Sequence, residues 1–218
     1  PCFNYYIVYD LQKLPEDVRN VKLQEALELI KNDLETIKGK GCNELGDYFA
    51  KLKERLFPGA FKFYFTKDFN MSKNDVDAIV RWLALKIDNV VRIIKRNGYE
   101  GFIVRADVPT IVLFKHKRTN LGKFKDFEEI YDAGILCKNG CKIIVVRPKD
   151  VEIPGVYDSI LELTRTYKLK LGEVPLTRDE LAALYATAVG TPMTVSLMNR
   201  YTTKAEEVAE KVRKQVYG

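Results

Sequence analysis

The sequence predicts an α+β protein: a mixed α/β core of about six strands with flanking helices, followed by a helical C-terminal segment. Three observations carry this. Short apolar runs rich in β-branched and aromatic residues alternate with stretches of helical periodicity up to about residue 150. Two sequence patterns, Ser72-Lys-Asn-Asp75 and Thr177-Arg-Asp-Glu180, have the form of capping boxes that open helices. Pro148 and Pro154-Gly155 mark a boundary, and beyond them the pattern is helical. Residues 1–150 are therefore expected to form the core, and residues 151–218 a helical appendage.

The elements are expected in the following order. Phe3 to Tyr9 reads as a first strand. Leu23, Leu27, Ile30, Leu34 and Ile37 recur at helical spacing after Pro15, and Gly39 and Gly41 stop that helix. Asn43 can cap a second helix with Tyr48, Phe49, Leu52 and Leu56 inward. Phe61 to Phe65 reads as a strand from its strong aromatic content. The box at Ser72 opens a long helix whose stripe runs through Val76, Ile79, Val80, Leu83, Ile87, Val90, Val91 and Ile94. Strands follow at Gly101 to Asp107 and Thr110 to Lys115, with Val108-Pro109 between them. After a polar loop comes a short helix near Phe124 to Tyr131. Gly134 to Lys149 then reads as a hairpin turning at Lys138-Asn139-Gly140. Past the boundary, helices are expected at about 156–167, at 181–189 behind Thr177, and at 205–216 behind Thr203-Lys-Ala-Glu206.

Composition bounds the class. The chain has 218 residues, 46% hydrophobic and 30% charged, as a globular protein has. No apolar run of about 18 residues occurs, so no membrane helix is expected. The N-terminus reads as a strand and not as a signal peptide, which makes an intracellular, cytoplasmic location the expectation. The net charge is +6 and the pI about 9.0, a balance that favours polyanionic partners. Glutamine occurs only at Gln12, Gln24 and Gln215, histidine only at His116, and Lys and Glu are plentiful. That bias points toward a thermophilic archaeon or one of its viruses or plasmids.

The basic segment from Lys115 to Lys125 is the first candidate site. Lys115, Lys117, Arg118, Lys123 and Lys125 lie in a run with no acid between Asp107 and Asp126. Several cations on one face are what phosphate contacts need. Phe114 and Phe124 could stack on unpaired bases. The plainer alternative is a solvated loop. A second cluster is Arg165, Lys168 and Lys170 beside Tyr167. Both clusters together point to nucleic acid as partner.

Cys137 and Cys141 flank the turn of the hairpin, close enough in sequence for a disulfide. Free buried thiols and a metal clip remain the alternatives. Zinc would need two further ligands at no recognisable spacing.

From about Asp88 to Asp150 the chain is loosely similar to the metal-dependent nucleases of the restriction-endonuclease superfamily, which include archaeal Holliday-junction resolvases. A helix ending Ile93-Ile-Lys-Arg-Asn-Gly-Tyr99 precedes the strand at Gly101, Asp132 opens the hairpin, and Ile143 to Val146 runs into Arg147-Pro-Lys149. The resemblance implies that Asp132 and Lys149 match the family's first acid and its lysine. Arg147 stands where the second acid would be, and an arginine repels a cation. The resemblance thus implies a core that binds nucleic acid without cutting it.

The leading expectation is a nucleic-acid-binding protein. The alternative is an Mg²⁺- or Mn²⁺-dependent nuclease or nucleotidyl-transfer enzyme with Asp107, Asp132 and Lys149 as its catalytic residues. A third is an interaction protein, such as a virion component, that self-associates through the C-terminal helices and the stripe Val208, Val212 and Val216. No cofactor is expected outside the enzyme alternative, since no GxGxxG or Walker A loop occurs.

Overall fold

A computed structural model of the chain describes residues 7–66, 70–96, 98–116, 124–151, 161–162 and 164–218, with the side chains of 124 and 125 left out. The fold is α+β with a helical C-terminus. A five-stranded mixed sheet runs in the order β1 (Val90–Ile94), β2 (Gly101–Val104), β3 (Thr110–Phe114), β4 (Cys141–Pro148) and β5 (Leu169–Leu176). The first three strands pair antiparallel. β3, β4 and β5 are parallel. The main helices are α1 (Glu16–Asn32), α2 (Cys42–Leu56), α3 (Lys73–Leu85), α4 (Phe124–Tyr131), α5 (Arg178–Ala188) and α6 (Val195–Tyr217).

Strand alternation divides the interior in two. Phe102, Val104, Val112, Phe114, Ile144, Val146 and Val174 face a large cluster built with α1, α2, α3, α5 and α6. Ile103, Ile111, Leu113, Ile143 and Val145 face a smaller one under α4, with Phe127, Tyr131 and the cysteine pair. A sheet covered on both faces reads as nearly continuous apolar runs, as β3 and β4 do.

Both capping boxes form. The Ser72 hydroxyl accepts from the Asp75 amide at 3.2 Å, and that of Thr177 from the Glu180 amide at 3.1 Å. The second helix is capped two residues early, at Gly41, whose amide donates to Glu44 at 2.9 Å.

Several elements differ from expectation. Residues 7–11 are helical, and the rest of the expected first strand lies outside the described residues. Gly59–Tyr64 is a 3₁₀ helix: Ala60, Phe61, Phe63 and Tyr64 are all buried, so both sides of the segment face the core and a one-sided strand cannot satisfy it. The helix from Ser72 stops at Leu85, because Asn89 turns to a φ of +58° and the β-branched run after it pairs with β2. The expected hairpin is a one-turn helix, Ala133–Leu136, leading into β4; Asp132 opens it with a φ of +50°. β5 was not legible as a strand. It contains Gly172 and Pro175, and proline is tolerated at a sheet edge, where β5 lies.

α6 begins at Thr194, whose hydroxyl accepts from the Leu197 amide. Thr203 sits inside that helix, and its hydroxyl donates to the Asn199 carbonyl. Val208 and Val212 are both 0% exposed within the large cluster. The valine stripe expected to serve a partner is thus occupied by this chain's own core.

Candidate functional site

The amino end of the parallel strands carries a groove of about 580 Å³. Arg105 and Asp107 come from the β2–β3 turn, Lys142 from β4, Lys170 from β5 and Asn89 from the residue before β1, and the end of α6 closes it. Asp107 is the one acidic side chain among the described lining residues.

Local structure sets each cation. Lys142 and Lys170 are register partners on neighbouring parallel strands, and both fall on the sheet face that α6 covers. Adjacent strands are about 4.8 Å apart, so the two lysine side chains leave the sheet side by side. Lys142 Nζ donates to the Gln215 carbonyl in the last turn of α6, where the helix end carries partial negative charge. α6 reaches that close because β5 has glycine at 172; a Cβ there would stand 2.8 Å from Gln215 Oε1. The Arg105 amide donates to the Asn89 carbonyl at 2.9 Å, which fixes the wall from which the exposed Arg105 side chain projects.

More cations continue from the groove. Lys168 and Arg165 are exposed just before β5, and exposed Lys138 lies in the turn before β4. The Cys141 amide donates to the Lys168 carbonyl at 3.3 Å, and Cys137 and Cys141 form a disulfide with their Cα atoms 4.7 Å apart. Of the three readings open for this pair (free thiols, a disulfide or a metal clip), the structure has the disulfide. It pins the turn bearing Lys138 beside the start of β5.

The basic segment expected to lead gives a different result. Lys117, Arg118 and Lys123 lie outside the described residues, as does the side chain of Lys125. Lys115 is not a surface cation. It is 2% exposed at the far end of β3, its Nζ 5.5 Å from the centre of the Tyr99 ring and without a hydrogen-bond partner. Burial pulls its ammonium down to about 8, and the nearby Glu100 carboxylate opposes that pull. Lys115 continues the alternation of Ile111 and Leu113 onto the packed face, but the sequence alone does not show that this face stays covered as far as the end of β3.

The three residues assigned to the enzyme alternative are not brought together. Lys142 bonds to the Pro109 carbonyl, which puts Asp107 at the start of β4. Lys149 follows the end of β4 and bonds to the Leu176 carbonyl. Eight strand residues lie between, a span of roughly 23 Å. Asp132 is held at 2.7 Å by Arg92 of β1. Arg147 pairs with Glu173 at 3.1 Å. Among the described residues no group of three His, Cys, Asp or Glu side chains is placed to hold a metal ion.

Sequence reasoning missed Arg105, Lys138 and Lys142. The available signal was a lysine interrupting an otherwise apolar strand at Cys141-Lys-Ile-Ile144, one turn after Lys138. No family model, curated protein or solved structure matches the chain. No described helix is long and apolar enough to cross a membrane.

Proposed function

We propose that this protein binds nucleic acid through the amino end of its parallel strands, with Arg105, Lys142 and Lys170 contacting phosphates and Arg165, Lys168 and Lys138 extending the track. The observation that carries the reading is the convergence of three cations from three different elements on one groove with a single acidic side chain. Cations held at fixed spacing by strand register lose little freedom on meeting a phosphate backbone, and each neutralised phosphate releases counterions. Such interactions position a strand or duplex without reading its sequence.

The disulfides bear on the source. Cys137 and Cys141 are paired, and Cys42 is also disulfide-bonded. Intracellular disulfides are an exception found in hyperthermophiles, in keeping with the scarcity of glutamine. We read the protein as one from a thermophilic archaeon or its virus or plasmid.

Fluorescence anisotropy with labelled single-stranded, duplex and branched DNA, at about 50 and 200 mM salt, tests the reading. Binding should weaken steeply with salt. Arg105→Ala with Lys168→Ala and Lys170→Ala should weaken it at least about tenfold at low salt and flatten the salt slope by about 0.9 for each duplex phosphate that is no longer neutralised. Absence of binding to all three DNAs, and to RNA of the same forms, would overturn the proposal.

A further inference from the structure

The sheet has two outer edges, and they differ in chemistry. The β5 edge carries Pro175, Lys168, Lys170 and Glu173, the proline and charges that guard an edge strand against pairing. The β1 edge carries apolar side chains instead. Val91 is 51% and Ile93 36% exposed, and Leu85, at the end of α3 beside them, is 83% exposed. A groove of about 590 Å³ runs along Leu85 to Ile93. Among the described residues no strand pairs with the outer side of β1.

The charge in the middle of β1 does not guard it. Arg92 is turned onto the α4 side, donating to Asp132 and to the Ile130 carbonyl, each at 2.7 Å. The remaining charges sit at the two ends, acidic before the strand and basic after it, where Lys95 and Arg96 are both exposed. Asp88 precedes the strand and Arg96 follows it; both are exposed, and neither has an ion pair among the described residues.

We infer that β1 is a self-association edge: two copies of this chain pair their β1 strands antiparallel about a two-fold axis at Arg92, joining two five-stranded sheets into one of ten. Antiparallel pairing about Arg92 sets Asp88 of each copy against Arg96 of the other, Val90 against Ile94, and Val91 against Ile93. The Asp88–Arg96 pair and the apolar pairs are self-complementary, as an isologous interface requires, while Lys95 meets Asn89 and the two Arg92 side chains on the axis are each held by their own Asp132. The unpaired amides and carbonyls of each edge supply the hydrogen bonds. Val91 falls where the inner register slips between Val90 and Arg92, and its side chain is free for the partner. This surface replaces the C-terminal valine stripe, which the fold buries.

Sedimentation velocity on the full chain, from about 1 to 100 μM, is the test. The wild type should convert from the 25.1 kDa monomer to a species of twice that mass. Val91→Lys with Ile93→Lys should weaken association at least about a hundredfold, with circular dichroism and thermal midpoint unchanged. Asp88→Arg and Arg96→Asp should each weaken it about tenfold, and the two together should restore it, because the swapped charges meet again across the axis. A wild type that stays monomeric at 100 μM overturns the proposal. So does a dimer insensitive to the lysine pair and the charge swap, or an edge that takes an extended apolar peptide while the chain remains monomeric.

Discussion

Arg200 of α6 donates to both carboxylate oxygens of Asp179 in α5, at 2.7 and 2.9 Å. The same guanidinium reaches Asp17 of α1 at 2.5 and 3.2 Å. Asp179 also accepts from the Tyr64 hydroxyl at 2.5 Å, and that hydroxyl lies 2.9 Å from the hydroxyl of Tyr201. One arginine thus ties three helices and the 3₁₀ turn together. Burial alone would pull Arg200 down, but its hydrogen bonds to Asp179 and Asp17 outweigh this and hold it above its usual value. Arg200→Ala leaves Asp179 partly buried without its main cation and should cost about 3 kcal/mol, lowering the thermal midpoint by roughly 10 °C. Arg200→Lys should recover only part, since an ammonium cannot bind both oxygens in a fork. Calorimetry reads both, and a loss below about 1 kcal/mol for the alanine variant would refute the assignment.

The buried Lys115 makes a pH-dependent prediction. In the unfolded chain its amine holds a proton up to about 10.5; in the folded chain burial lowers this to about 8. Between those values the folded state binds fewer protons, so this residue makes stability rise with pH across the window. Below pH 8 the full penalty applies, about 3 kcal/mol for a fall of that size. Replacing Lys115 by Met together with Glu100 by Gln removes both buried charges, so neither is left unpaired. That variant should gain about 2 kcal/mol at pH 7, and the gain should fade by pH 10.5. Urea denaturation at pH 7, 9 and 10.5 measures it. A gain that does not change with pH would mean that packing, not a buried charge, is the cause.

What could be read from the sequence depended on whether a segment's pattern had one meaning. The boxes at Ser72 and Thr177 did, because a hydroxyl and a carboxylate three residues apart satisfy a helix start and little else. The strands at Gly101 and Thr110 and the helix at Phe124 were equally plain. Val90 to Ile94 was ambiguous: its apolar spacing continues the stripe of α3, and only the positive φ at Asn89 and the partner strand decide for β. Phe61 to Phe65 is aromatic like a strand, but Phe61, Phe63 and the adjacent Tyr64 are all buried, which a one-sided strand cannot satisfy. In the candidate site, Lys170 was legible as a surface cation. Lys142 and Arg105 were not, because their convergence depends on which strands become neighbours. The same gap made Lys115 look like a surface cation.

The Cys137–Cys141 bond closes a five-residue loop, and both cysteines are 0% exposed. Chain-entropy reasoning gives a loop of that length about 2 kcal/mol. Cys137→Ala with Cys141→Ala should therefore destabilise by about 2 kcal/mol and lower the thermal midpoint by roughly 5 °C, without changing the fold. Guanidinium denaturation monitored by far-ultraviolet circular dichroism checks this. Loss of cooperative unfolding in the variant would show that the bond specifies the β4 entry and does more than stabilise it.

Gly101 and Gly98 are both glycines near the start of β2, and they are glycine for different reasons. Gly98 has a φ of +84°, with nothing within 4 Å of where a Cβ would sit. Gly98→Ala should cost only the conformational penalty, about 1 kcal/mol. Gly101 is paired with Leu113 of β3, and an added Cβ would stand 2.0 Å from the Val112 carbonyl oxygen. That oxygen belongs to the backbone of a buried strand and cannot step aside, so β2 must lift from β3. Gly101→Ala should cost about 3 kcal/mol or more. Amide hydrogen exchange should show the weakening at the β2–β3 pairing, with the amides of α5 and α6 still protected. Equal costs for the two substitutions would refute the close approach of β2 to β3 as the reason for glycine at 101.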